Sequence, residues 1–87
     1  MTSNKIKKLI KYYLKGYTLT VINMVFNLED EELRIFLNSL SPDIVKRHNK
    51  NLRMRIYRMY KNGYSVKVIN LATGISSNTI RDILYFN

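Results

Sequence analysis

A shift of 47 residues lays the second half of this chain over the first without a gap, and nothing else in the sequence narrows the possible folds so much. Tyr13 falls on Tyr60, Gly16-Tyr17-Thr18 on Gly63-Tyr64-Ser65, and Val21-Ile22-Asn23 on Val68-Ile69-Asn70. Leu28 meets Ile75, Leu33 meets Ile80, Arg34 meets Arg81, and Phe36-Leu37 meets Ile83-Leu84. Self-similarity at one fixed period marks a unit built twice. The copies cover residues 5–40 and 52–87, with 41–51 between them. A chain of 87 residues is one domain, or two very small subdomains that share a core.

Each copy reads as three helices, so the expected fold is all-α. In the second copy, Leu52, Ile56, Met59 and Tyr60 recur at helical spacing, with Arg53, Arg55, Arg58 and Lys61 on other faces. Asn62-Gly63 ends that helix, since glycine suits a left-handed C-terminal cap. Ser65 caps a short helix over Val66–Thr73, Gly74 makes the tight turn, and Ser76 or Ser77 caps a third helix running to about Tyr85. The first copy follows the same plan. Its first helix spans about residues 4–15 and turns Ile6, Leu9, Ile10, Tyr13 and Leu14 inward. Gly16 ends it, Thr18 caps the second helix, and the third spans about residues 30–39. Asn27 stands where the second copy has its turn glycine, and asparagine tolerates positive φ next best. Ser41-Pro42-Asp43 has the form of a helix start: a cap, proline at the first position, an acid in the first turn. One long helix over Pro42–Lys61 and a break near His48-Asn49 are both open from sequence. The expected division is residues 1–40 as a first unit and 41–87 as a basic connector with the second.

Charge bears on function. Fifteen Lys and Arg against six Asp and Glu leave a net +9, which points to a polyanion, most often nucleic acid. The charge is uneven. Residues 1–40 carry six basic and four acidic side chains, whereas residues 41–87 carry nine basic and two acidic. There is no cysteine, and the single histidine, His48, cannot form a zinc site without thiolate neighbours. No metal or other cofactor, no catalytic residue and no small-molecule substrate is expected, because no nucleophile–base pair or phosphate loop is present. The longest apolar stretch, residues 21–26, is already broken by Asn23, far short of a membrane span. The lysines at the N-terminus are not followed by an apolar run long enough for a secretory signal. The expectation is a cytoplasmic, nucleoid-associated protein.

Residues 63–84 resemble the helix-turn-helix of transposases, resolvase-type recombinases and small bacterial or phage regulators. In those, a short helix, a turn glycine followed by an apolar residue, and a polar helix with apolar anchors recur. Ile69, Gly74, Ile75, Ile80 and Ile83 stand at the matching places. One departure is shared by both copies: the small residue usual four positions before the turn glycine is Asn70 here and Asn23 in the first copy. An asparagine there can bond across the turn.

The resemblance implies that the third helix of the second copy enters a major groove with its N-terminal residues. Ser76, Ser77, Asn78, Thr79 and Arg81 are then the base-reading candidates, because an asparagine amide can pair with adenine and a guanidinium with guanine. Ser65, Lys67, Tyr64, Arg58 and Lys61 fall where the backbone would pass, and Arg47 and Lys50 extend the basic track along the connector with Lys46, His48, Arg53 and Arg55. For each serine and threonine, helix capping is the simpler role. The recurring tyrosines argue for packing rather than a base-stacking platform. The first copy opens its third helix with Glu29, Asp30, Glu31 and Glu32 on the positions of Ser76 to Thr79. Those carboxylates suit the helix dipole and would repel phosphate, so this copy is a scaffold, a homodimer surface or a docking site for a protein partner. The expected function is sequence-specific binding of double-stranded DNA, as a transcriptional regulator or a recombination or excision accessory factor of a mobile element. The alternative is an adaptor that docks through the acidic helix onto polymerase, a recombinase or another regulator. A third reading, nonspecific coating of nucleic acid, predicts steep salt dependence without sequence preference.

Overall fold

The computed structural model describes residues 3–86. Among them are six helices and no strand: α1 (Ser3–Leu14), α2 (Leu19–Phe26), α3 (Asp30–Asn38), α4 (Pro42–Lys61), α5 (Val66–Thr73) and α6 (Ser77–Phe86). Residues 1, 2 and 87 lie outside the described residues. No helix among those described is long and apolar enough to cross a membrane.

The 47-residue repeat returns as local geometry. Thr18 and Ser65 cap α2 and α5, each side-chain oxygen accepting from a backbone N–H three residues on, Val21 at 3.3 Å and Val68 at 3.2 Å. Asn27 and Gly74 close the same helices in the left-handed region, at φ 49° and 76°. The backbone N–H groups of Asn27 and Gly74 donate to Asn23 and Asn70, both at 2.8 Å. The shared asparagine does bond across the turn, in opposite senses. Asn70 Nδ2 donates to the Ile75 carbonyl at 2.6 Å, while Asn23 Oδ1 accepts from the Leu28 N–H at 3.2 Å.

Helix α4 is continuous. Ser41 caps it, accepting from the Ile44 N–H at 3.2 Å, and Pro42 opens it. Its 20 residues span about 30 Å and serve both halves. One core gathers Leu9 and Tyr13 of α1, Ile22 of α2 and Phe36 of α3, with Ile44 from the first half of α4 against them. The other gathers Ile56 of α4, Ile69 of α5, and Ile80 and Ile83 of α6. Leu9 and Ile56, Ile22 and Ile69, and Phe36 and Ile83 are repeat equivalents, so the 47-residue period also governs burial.

The joint between the halves is made where α4 crosses the end of α1. A helix end leaves carbonyls unpaired, and here α4 supplies the donors. His48 Nδ1 lies 2.7 Å from the Tyr13 carbonyl, and Asn51 Nδ2 donates to the Leu14 carbonyl at 2.6 Å. A carbonyl only accepts, so His48 carries its proton on Nδ1. The imidazole also stacks on the Tyr13 ring, centroids 3.6 Å apart and planes 5° from parallel. Burial holds the His48 pKa below its ordinary value of 6.5, opposed by its bond to Tyr13. Gly16 admits the crossing: a Cβ there would sit 2.8 Å from backbone atoms of Asn51. Thr18 Oγ1 completes the joint by donating to the Thr73 carbonyl at 2.6 Å.

Candidate nucleic-acid interface

The start of α6 stands at the surface, and its residues have unequal freedom. Ser76 is the cap. Its Oγ accepts from the Thr79 N–H at 3.2 Å and donates to Thr79 Oγ1 at 2.8 Å, which occupies both hydroxyls within the helix start. Ser77 is half-buried. Asn78 and Arg81 lie exposed on the outer face, opposite the buried Ile80 and Ile83, and Arg81 Nη1 reaches Asn78 Oδ1 at 3.4 Å. These are the two side chains of the base-reading set with the length and exposure to reach a base edge.

The first copy repeats this geometry with different charge. Arg34 and Glu31 are the equivalents of Arg81 and Asn78, and the guanidinium of Arg34 clasps both carboxylate oxygens of Glu31. One three-residue spacing on one helix position therefore gives a neutralised ion pair in α3. In α6 it gives a cation oriented by a neutral amide.

Of the acids Glu29 to Glu32, Glu32 is the one that is partly buried. Glu32 Oε2 accepts from Lys5 Nζ at 2.5 Å, and Glu32 Oε1 accepts from the Glu29 N–H at 3.2 Å. The hydrogen bond from Lys5 is the main reason the Glu32 carboxyl is held below its ordinary pKa. Glu29 and Asp30 remain exposed.

Of the backbone-contact set, Tyr64, Ser65 and Lys67 are exposed around the start of α5, with Arg58 and Lys61 in the last turn of α4 beside them. Arg47, Lys50, Arg58 and Lys61 share one face of α4 at 100° per residue, roughly opposite the inward Leu52 and Met59. Arg47 Nε pairs with Asp43 Oδ2 at 3.2 Å on that exposed face. Two members of the basic connector leave the surface track. His48 is buried at the joint, and the Arg55 guanidinium lies 4.1 Å over the Tyr17 ring.

Sequence reasoning missed the joint residues His48, Asn51 and Arg55. The available signal was polar side chains on the inward stripe of an otherwise amphipathic α4. It also treated the tyrosine pairs as equivalent, whereas Tyr13 is 5% exposed and Tyr60 43%. Among the described residues, no cluster of His, Cys, Asp and Glu could hold a metal ion. Comparison of the chain with protein-family models, with curated proteins and with solved structures finds no match.

Proposed function

We propose that this protein binds double-stranded DNA sequence-specifically through a helix-turn-helix formed by α5 and α6, the second of two tandem three-helix units, and that the first unit is its scaffold. The observation that carries the reading is the contrast between Arg81 and Arg34. Each reaches the residue three positions before it, but Arg34 is taken by a carboxylate, whereas Arg81 lies beside an amide that can itself pair with a base. Exposed side chains of the kind that contact phosphate lie elsewhere on the second unit and its connector: Lys67 and Tyr64 at the start of α5, and Arg47, Lys50, Arg58 and Lys61 along one face of α4. The process served is transcriptional regulation, or recombination or excision by a mobile element.

The adaptor reading has less support. Glu31 and Glu32, half of the acidic set, are already engaged by Arg34 and Lys5. The test is to replace the two readers singly. Arg81→Ala and Asn78→Ala are expected to weaken specific binding about 5- to 150-fold each, the range for one good base contact, with helicity unchanged. Unchanged footprints in both variants would remove α6 from the reader's role.

A further inference from the structure

The joint between the halves covers one end of the first copy, and the equivalent end of the second copy is bare. Tyr13, Gly16 and Tyr17 lie under α4, whereas no helix among the described residues covers their equivalents Tyr60, Gly63 and Tyr64: Tyr60, at 43% exposure, meets the edge of Tyr85, their hydroxyls 2.9 Å apart, and Tyr64 is 51% exposed. A Cβ on Gly16 would strike the backbone of Asn51, but one on Gly63 would meet nothing within 4 Å.

The covering side has a bare equivalent too. Asn51 and Arg55, which reach the Leu14 carbonyl and the Tyr17 ring, correspond to Asn4 and Lys8 of α1, both exposed. The cleft at the joint, about 100 Å³, is lined on one side by Val21 and on the other by Met59 and Ala72. Their equivalents are Val68 at the bare end of the second copy, and Tyr12 and Val25 on the first. All three are exposed, Val25 at 65% and Val68 at 42%.

We propose that chains of this protein associate head to tail. The outer face of one chain's second copy (Tyr60, Tyr64, Val68) would receive the α1–α2 face of the next chain (Asn4, Lys8, Val25) and so reproduce the internal joint between molecules. The occupant is a second copy because it is the molecule on the page that carries the matching half of this joint, in the same chemistry and at the same 47-residue offset. Asn4 takes the place of Asn51 toward the end of α4, and Lys8 takes the place of Arg55 over Tyr64, again a cation on an aromatic face. The counterpart of His48 lies outside the described residues.

One substitution loosens the external joint. Where a Cβ on Gly74 would come within 3.1 Å of Thr20 inside the chain, Asn27 would meet Lys67, so the surfaces open there by a few tenths of an ångström. With each chain at net +9, the association is weaker than the internal one and strengthens with salt. Such a contact uses two different surfaces and does not close on itself, so it builds open chains rather than a dimer.

This face shares Tyr64 and Lys67 with the phosphate contacts proposed above, so the two uses compete at the start of α5; the test contains no DNA, and its failure is therefore distinct from failure of the DNA-binding reading. Sedimentation equilibrium of the full chain in moderate salt is expected to give a mass that climbs with concentration without levelling at a dimer. Val25→Glu and Val68→Glu each block one face at an exposed position, and each should stay monomeric with unchanged helicity. An equimolar mixture of the two retains one intact pair of faces and should stop at a heterodimer. Val25→Ser and Val68→Ser make the same test if glutamate alters the fold. A wild-type chain that stays monomeric, variants that still associate, or a mixture that stays monomeric while the wild type levels at a dimer would each overturn the proposal.

Discussion

Replacing Asn78 with glutamate moves the charge pattern of α3 onto α6 and predicts opposite effects on stability and on binding. Asn78 is the second residue of α6 and Glu31 the second of α3, so the new carboxylate should take the Arg81 guanidinium as Glu31 takes Arg34. An exposed pair of this spacing contributes about 0.2–0.5 kcal/mol. A carboxylate in the first turn contributes about 0.3–1 kcal/mol through the helix dipole. Thermal unfolding should therefore shift upward by a few degrees, at about 4–8 °C per kcal/mol for a chain of this size. Binding should collapse. The lost amide contact is worth about 1–3 kcal/mol. The new charge facing phosphate costs about 1 kcal/mol at 4 Å in bulk water and about 4 in a medium of dielectric constant 20. Together with neutralisation of Arg81, a loss of at least about 3 kcal/mol is expected, more than about 100-fold in affinity. The assay is a titration of a footprinted site beside a melting curve. The reverse change, Glu31→Asn, should leave binding as strong or stronger. An Asn78→Glu protein that binds within about threefold of wild type would refute the reasoning, since no read-out through Arg81 survives that ion pair.

Three further outcomes concern the joint. Asn51→Ala leaves the Leu14 carbonyl without its donor and should cost about 1–3 kcal/mol in chemical denaturation. Gly16→Ala and Gly63→Ala share the strain of positive φ, 93° and 98°, but only the first drives a Cβ into backbone, so it should destabilise by about 1–3 kcal/mol more than the second. The His48 pKa is lowered in the folded state, so the unfolded chain binds the proton more readily and stability rises with pH across the gap. That stability is fully present above about pH 6.5, falls as the pH drops from there through the folded value, and the decline should disappear from the melting temperatures of His48→Gln.

The sequence made local structure readable wherever the signal was itself local. Gly16, Gly63, Thr18 and Ser65 placed the helix ends because capping and left-handed backbone depend on one or two residues. The bond made by Asn70 across its turn was foreseeable for the same reason. The continuity of α4 was not. A continuous helix and a break near His48-Asn49 are both open from sequence, and the roles of His48 and Asn51 emerge only once the carbonyl ends of α1, 35 and 37 residues away, are seen to need donors. Equally hidden was the difference between Tyr13 and Tyr60, identical residues in matching contexts, one buried under a helix and the other half-exposed beside Tyr85. Within the candidate interface, the sequence gathered Asn78 and Arg81 correctly on one exposed face. Geometry had to separate them from Ser76 and Thr79, whose hydroxyls bond each other, and from Arg55, which lies over Tyr17.

Selection of a random-sequence duplex library by the full chain at near-physiological salt is the most direct trial of DNA reading. Enrichment of one short motif, lost with Arg81→Ala, is the predicted result. Binding that falls steeply with salt and enriches no motif, or no retention of duplex at all, would contradict it.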